Sequence, residues 1–189
     1  MKAYSVLPEG YKEFYSVDLQ KDKKTAVVVN IIAVVIAAAM VLPMHRIVPV
    51  STLYKSEEGI VMRMMSMVVL LIAYIILHEA VHGISMKLCG TKKIKYGFTG
   101  AYAFAGSDDY YPKKAYIFIA LSPVVLWGVV LAVVNSMVPE EWFWIIYIVQ
   151  IMNISGAAGD FFVTVKFLRF PDDILVRDHG VGMRVYSKK

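Results

Sequence analysis

The chain has 189 residues, of which 58% are hydrophobic and only 19% charged, and its mean hydropathy is +0.59. Soluble domains carry about a quarter charged residues, so this balance excludes intrinsic disorder and points to an integral membrane protein. The single cysteine, Cys89, excludes a disulfide scaffold, and the net charge of +5 finds its explanation in where the charges sit.

A bilayer-spanning helix needs about 20 predominantly apolar residues. Residues 25–44 carry no charge and form the first predicted span. A polar segment, 1–24, precedes it and no small-residue cleavage site follows, so it reads as a span and not a cleavable signal. The second span, 60–88, is apolar from Met64 to Leu77 and then reads His78-Glu79-Ala80-Val81-His82. Lys92–Gly106 is rich in Tyr, Phe and Gly with partial alternation, which predicts a short β-hairpin or re-entrant segment, and Ser107–Pro112 predicts a turn. The third and fourth spans are 115–138 and 142–165, joined by a tight connection at Pro139-Glu140-Glu141. Trp127, Trp142, Trp144 and Tyr147 read as lipid-facing or interfacial anchors. The expected fold is a single all-α membrane domain over 1–189, with about four transmembrane helices and that one small β element.

The basic residues orient it. Of the 20 Lys and Arg, only Arg46, Lys55 and Arg63 fall in or beside the connection after the first span, and none in the one after the third; the other 17 lie in 1–24, 87–114 and 166–189. The positive-inside rule then places both termini, with the polar tail 166–189, in the cytoplasm of a multi-pass protein of the cell membrane. Topology explains the basic charge, and no nucleic-acid partner is expected.

Residues i and i+4 share a helix face, so His78 and His82 can direct two imidazoles at one ion, with Glu79 beside them as a base that does not ligate. This is the HExxH arrangement of zinc metallopeptidases: zinc lowers the pKa of a water to about 7, and the glutamate takes its proton and hands it to the leaving amine. Strongly polar residues inside a bilayer cost about 2.5–3.5 kcal/mol each on insertion scales, so they rarely persist without a role. A catalytic zinc takes three protein ligands. Asp160 is the only other acid within a span, and it lies nine residues before Arg169 as His78 lies nine before Lys87, which puts both at a similar depth, about 13 Å from a basic helix exit. Asp178 and His179 in the tail are alternative ligands, with Asp108 and Asp109 behind them.

Asn153, Gly156 and Asp160 fall on one helical stripe, and Gly156, Ala157 and Gly159 predict close approach of this helix to the second span, as do Gly83 and Ser85 from the other side. Asn153 is a candidate for hydrogen-bonding a substrate backbone or oxyanion, or else a neighbouring helix. Pro123 kinks the third span and frees a carbonyl that neighbours or water must satisfy. Tyr96 and Phe98 are candidate substrate contacts, on the expectation that an unwound substrate adds as a strand to Lys92–Gly106.

Together, the intramembrane HExxH, the following strand-like stretch, Ser122-Pro123 and a late span with Asn153 and Asp160 resemble the core of the site-2 protease type of intramembrane zinc metallopeptidase. Nearly the whole chain is similar to a family of small bacterial and archaeal membrane proteins grouped as a zincin peptidase domain of unknown function. That similarity runs from Leu7-Pro8-Glu9-Gly10-Tyr11 through His78–Gly83 (HEAVHG) and Gly156-x-x-Gly159-Asp160 to Phe170-Pro171-Asp172-Asp173 and Asp178. In the site-2 pattern a proline follows the Asn region and a glycine follows the Asp; here Gly156 and Phe161 stand instead, which leaves no proline to break the helix before Asp160. The expected activity is a zinc-dependent, membrane-embedded endopeptidase acting on membrane or membrane-associated peptides near the cytoplasmic face. The alternative is a non-catalytic accessory protein whose metal site is structural or sensory.

Overall fold

The structure is a computed structural model that describes residues 2–18, 20–54, 59–100, 102–180 and 182–188. Lys55 and Lys189 of the charge count, and Ala101 of the expected hairpin, lie outside these residues. Four helical stretches are long and apolar enough to cross a membrane: Lys23–Ile47, Ile60–Leu88, Lys113–Met137 and Glu140–Leu168. The first three are the single helices α1, α2 and α3. The fourth is two helices, α4 (Glu140–Gly156) and α5 (Ala158–Leu168).

Local chemistry sets the ends of these helices. Asp22 caps α1 by accepting the Thr25 amide at 3.1 Å, which satisfies one of the helix's orphan donors. Pro112 and Pro139 precede α3 and α4, where a missing N–H costs no helix hydrogen bond. Gly90, at φ 96°, turns the chain out of α2 in the left-handed conformation that only glycine adopts without a Cβ penalty. Along α1, α2 and α3 the large aliphatic residues Val34, Val35, Val69, Ile72, Val129 and Val133 are exposed, as a lipid-facing surface requires.

The helices pack α3 on α4, α2 on α3 and α1 on α4. At one end a short 3₁₀ turn, Val50–Tyr54, folds over α4, and Leu53, Trp144 and Ile145 form a small core. Trp144 is therefore not a lipid-facing anchor. It is 1% exposed, and its indole N–H donates to the Val48 and Pro49 carbonyls, which the capped end of α1 leaves free to accept.

At the other end lies an element the all-α expectation lacks: a four-stranded antiparallel sheet. Its strands are β1 (Lys12–Asp18), β4 (Tyr110–Pro112), β5 (Leu175–Asp178) and β6 (Gly182–Ser187), in the order β1-β6-β5-β4. Lys12 pairs with Ser187 and Asp18 with Gly182, so the sheet is built largely from the two ends of the sequence. Tyr111, Val176 and Val185 are fully buried and merge with Met86, Ile119 and Phe167 of the helices into the main core. The expected hairpin is present as β2 (Lys95–Phe98) and β3 (Ala103–Gly106), with Tyr96 opposite Ala105. The expected turn at Ser107–Pro112 is a turn only to Asp109 before β4 begins.

Candidate metal centre

Helix α2 presents His78, Glu79 and His82 from one turn, with ligand-capable atoms of all three within 4.8 Å of one another. Across from them, the first turn of α5 brings in Asp160, whose Oδ2 lies 3.9 Å from His78 Nε2 and 3.8 Å from His82 Nε2. Both imidazoles are 12% exposed and the carboxylate 24%. The chain breaks at Ala157 between α4 and α5, although no proline stands there. The break starts a new helix just before Asp160, where an acid also meets the positive end of the helix dipole.

The hydrogen bonds assign the protons on both histidines. His82 Nδ1 lies 3.0 Å from the Ile119 carbonyl; a carbonyl only accepts, so in the neutral ring Nδ1 carries the hydrogen and Nε2 the lone pair. For His78 the assignment passes through two residues. Asn153 Nδ2 donates to the Val124 carbonyl at 3.2 Å, which turns its Oδ1 toward Tyr74, and the Tyr74 hydroxyl donates to that oxygen at 2.9 Å. With its proton committed, Tyr74 can only accept from His78 Nδ1 at 2.6 Å, and His78 Nε2 is again a lone pair. With both rings neutral, the two Nε2 lone pairs thus lie within 4 Å of the same Asp160 oxygen. Their separations exceed a hydrogen bond and approach the roughly 3.3–3.5 Å between ligands of a tetrahedral zinc with bonds near 2.0–2.2 Å. This donor set fits a divalent cation, and two imidazoles with a carboxylate suit zinc.

These groups open on a cavity of about 180 Å³, which Glu79 also lines. Ala105 of β3 lines the same cavity as the Glu79 carboxylate. Tyr102, Ala103, Phe104 and Ala105 supply one wall, and Asp178 and Gly180 of the sheet supply another. No lysine or arginine lines it among the described residues.

Several expectations are revised by this geometry. Asn153 is fully buried with both amide ends bonded inside the protein, so it joins helices and does not face a substrate. Tyr96 and Phe98 are 57% and 71% exposed and do not line the cavity; β3, not β2, faces the site. A Cβ on Gly156 or Gly159 would meet nothing within 4 Å, so these glycines border the cavity and do not seat against α2. A Cβ on Gly83 would lie 1.9 Å from the Tyr96 hydroxyl, so this glycine makes room for the hairpin.

The other acids have separate tasks. Asp178 lines the cavity, but its two oxygens accept from the Tyr116 hydroxyl and the Gly180 amide. Burial pushes its carboxyl up to about 6, against the lowering effect of those two donors. His179 is exposed and outside the cavity. Asp108 binds Lys95 at 2.7 Å and Arg177 at 3.0 Å, and these hydrogen bonds hold it down to about 2. It ties the hairpin to the sheet. Cys89 is buried in the main core.

Tyr74 was absent from the expected site. Its signal was present, since it stands one turn before His78 on the same face of α2. The place of Ala105 in the cavity wall had no such signal, because it depends on how the hairpin docks.

Among proteins of known sequence, the chain is 32% identical over 119 residues to an uncharacterized 24.7 kDa protein in the gap 5' region of Pyrococcus woesei, a match covering 60% of this chain and 51% of that protein. The chain therefore spans about half the length of the relative it matches. No solved structure matches it. Residues 71–175, which include α2 from before the histidines through Asp160, match the model of the family described as "Putative zincin peptidase". That match takes in more than half of the chain, and the protein belongs to this family.

Proposed function

We propose that this protein is a zinc-dependent endopeptidase embedded in the cell membrane, cutting membrane or membrane-associated peptides near the cytoplasmic face. The observation that carries this reading is the meeting of two imidazole lone pairs and the Asp160 carboxylate beside Glu79 in one cavity. His78, His82 and Asp160 would hold the metal. Zinc in such a site polarises a scissile carbonyl and activates water as a nucleophile.

The chain's own groups do the rest. Glu79 is placed to take a proton from the attacking water and return it to the leaving nitrogen. A substrate must lose its helical hydrogen bonds before its carbonyl can react, and β3 at the cavity wall offers extended backbone beside the site for the unwound stretch. Membership in a zincin family supports the metal and the peptidase class. The basic residues at the sheet end support its placement in the cytoplasm.

The test is cleavage of a membrane-peptide library by purified protein with and without Glu79→Gln. The expected result is a fall in turnover of at least about 10²-fold with zinc content unchanged. Equal cleavage by the variant would remove the enzyme reading and leave a structural or sensory metal site.

A further inference from the structure

Helix α3 contributes no ligand to the metal centre, yet both histidines are oriented by it. Proline at position 123 has no amide hydrogen, so the helix bond from residue 123 back to the Ile119 carbonyl is missing. That freed carbonyl is the one that accepts His82 Nδ1 at 3.0 Å. One turn along, the Val124 carbonyl anchors the Asn153 amide, and through Asn153 and Tyr74 it determines which nitrogen of His78 carries hydrogen. Pro123 and Asn153 are both fully buried.

We infer that Pro123, Asn153 and Tyr74 are positioning residues that hold both histidines as the Nδ1–H tautomer, presenting two Nε2 lone pairs to the metal. The inference builds on the metal reading above but concerns the chain's own hydrogen bonds. It gives the interior proline a role a kink alone does not: it supplies an unspent carbonyl at the depth of His82. It also makes a non-obvious demand on Asn153, which touches neither metal ligand. Without the Asn153 oxygen, the Tyr74 proton is free to turn to His78 Nδ1. The imidazole would then carry its hydrogen on Nε2, where it blocks ligation.

The experiment uses the full chain in detergent, stripped of metal and labelled with ¹⁵N-histidine, so that the ring nitrogen shifts report each tautomer. Wild type is expected to show Nδ1–H at His78 and His82. Asn153→Ala should move His78 to Nε2–H and leave His82 unchanged; Pro123→Ala should mix the tautomers of His82 and leave His78 unchanged. Zinc affinity, read by chelator competition, should fall about 10–100-fold in each. The Tyr74→Phe/Asn153→Ala double variant should match Tyr74→Phe alone, because Asn153 acts only through that hydroxyl. If Asn153→Ala does not fold, Tyr74→Phe deletes one oxygen and carries the test: His78 loses its single tautomer and His82 keeps it. Nε2–H at either histidine in wild type, unchanged tautomers in the variants, or additive losses in the double variant would overturn the inference. The tautomers are read without metal, so a wild type that binds no zinc would overturn the peptidase reading while this result stood on its own.

Discussion

Gly83 leaves the space of one methyl group to a tyrosine hydroxyl. It follows His82 directly, and the Tyr96 hydroxyl occupies the space its side chain would need. Gly83→Ala should turn the half-exposed Tyr96 ring, which meets it with its hydroxyl end, out toward solvent at a cost of about 1 kcal/mol or less and leave zinc binding intact; a thermal melt and a zinc titration on the same sample check both. Asp178 behaves differently. Its carboxyl, raised by burial to about 6, takes up a proton in the folded state at a pH where an unfolded aspartate, near 3.9, is still ionised. The folded state therefore gains stability as pH falls from about 6 toward 4 and loses it as pH rises through 6. Melts of metal-free protein should show that slope, and Asp178→Asn should flatten it; an unchanged slope would mean that another group titrates. The two histidines and Glu79 were legible from spacing alone, and Asp160 from its depth. The proton assignments were not, because they need the Tyr74–Asn153 and His82–Ile119 contacts, and the last of these spans 37 residues of sequence.

Among the elements, the apolar spans were the most legible part of the chain, since lipid requires long uncharged helices and composition reports them directly. The division of the last span was hidden: Gly156-Ala157-Ala158-Gly159 carries no proline, and only the structure shows the helix ending at Gly156 and restarting at Ala158. The sheet was hidden for another reason. Strand β4 is three residues long and ends in proline, and β1 finds its partner at the far end of the sequence, so no local pattern announces either. The hairpin was legible from its alternation, but which strand faces the cavity was not. That depends on Asp108, whose links to Lys95 and Arg177 join β2 to β5.

At the scale of the whole molecule, the sheet constrains topology independently of charge. Pairing of residues 12–18 with 182–187 requires both segments on one side of the membrane, as an even number of spans also requires. On the function proposed above, that side is the cytoplasm, as the positive-inside rule predicts. Single cysteines substituted for Lys12 and Lys188, in a background with Cys89 replaced by serine, should react with an impermeant thiol reagent only in inverted vesicles. A cysteine at Ser51 should react only in intact cells; labelling of Lys12 and Lys188 positions from opposite faces would contradict the fold. The same arrangement sets the cavity where the helices meet the sheet, with Val17 of β1 and Met183 of β6 among its lining.

If His78, His82 and Asp160 hold one metal ion, the metal content of the purified protein reports it. Elemental analysis of wild type, His82→Ala and Asp160→Ala, purified in detergent under zinc-replete conditions, should find about one zinc per chain in wild type and little in either variant. Full zinc in Asp160→Ala would take the carboxylate out of the site and turn attention to Asp178; wild type without metal would contradict the account.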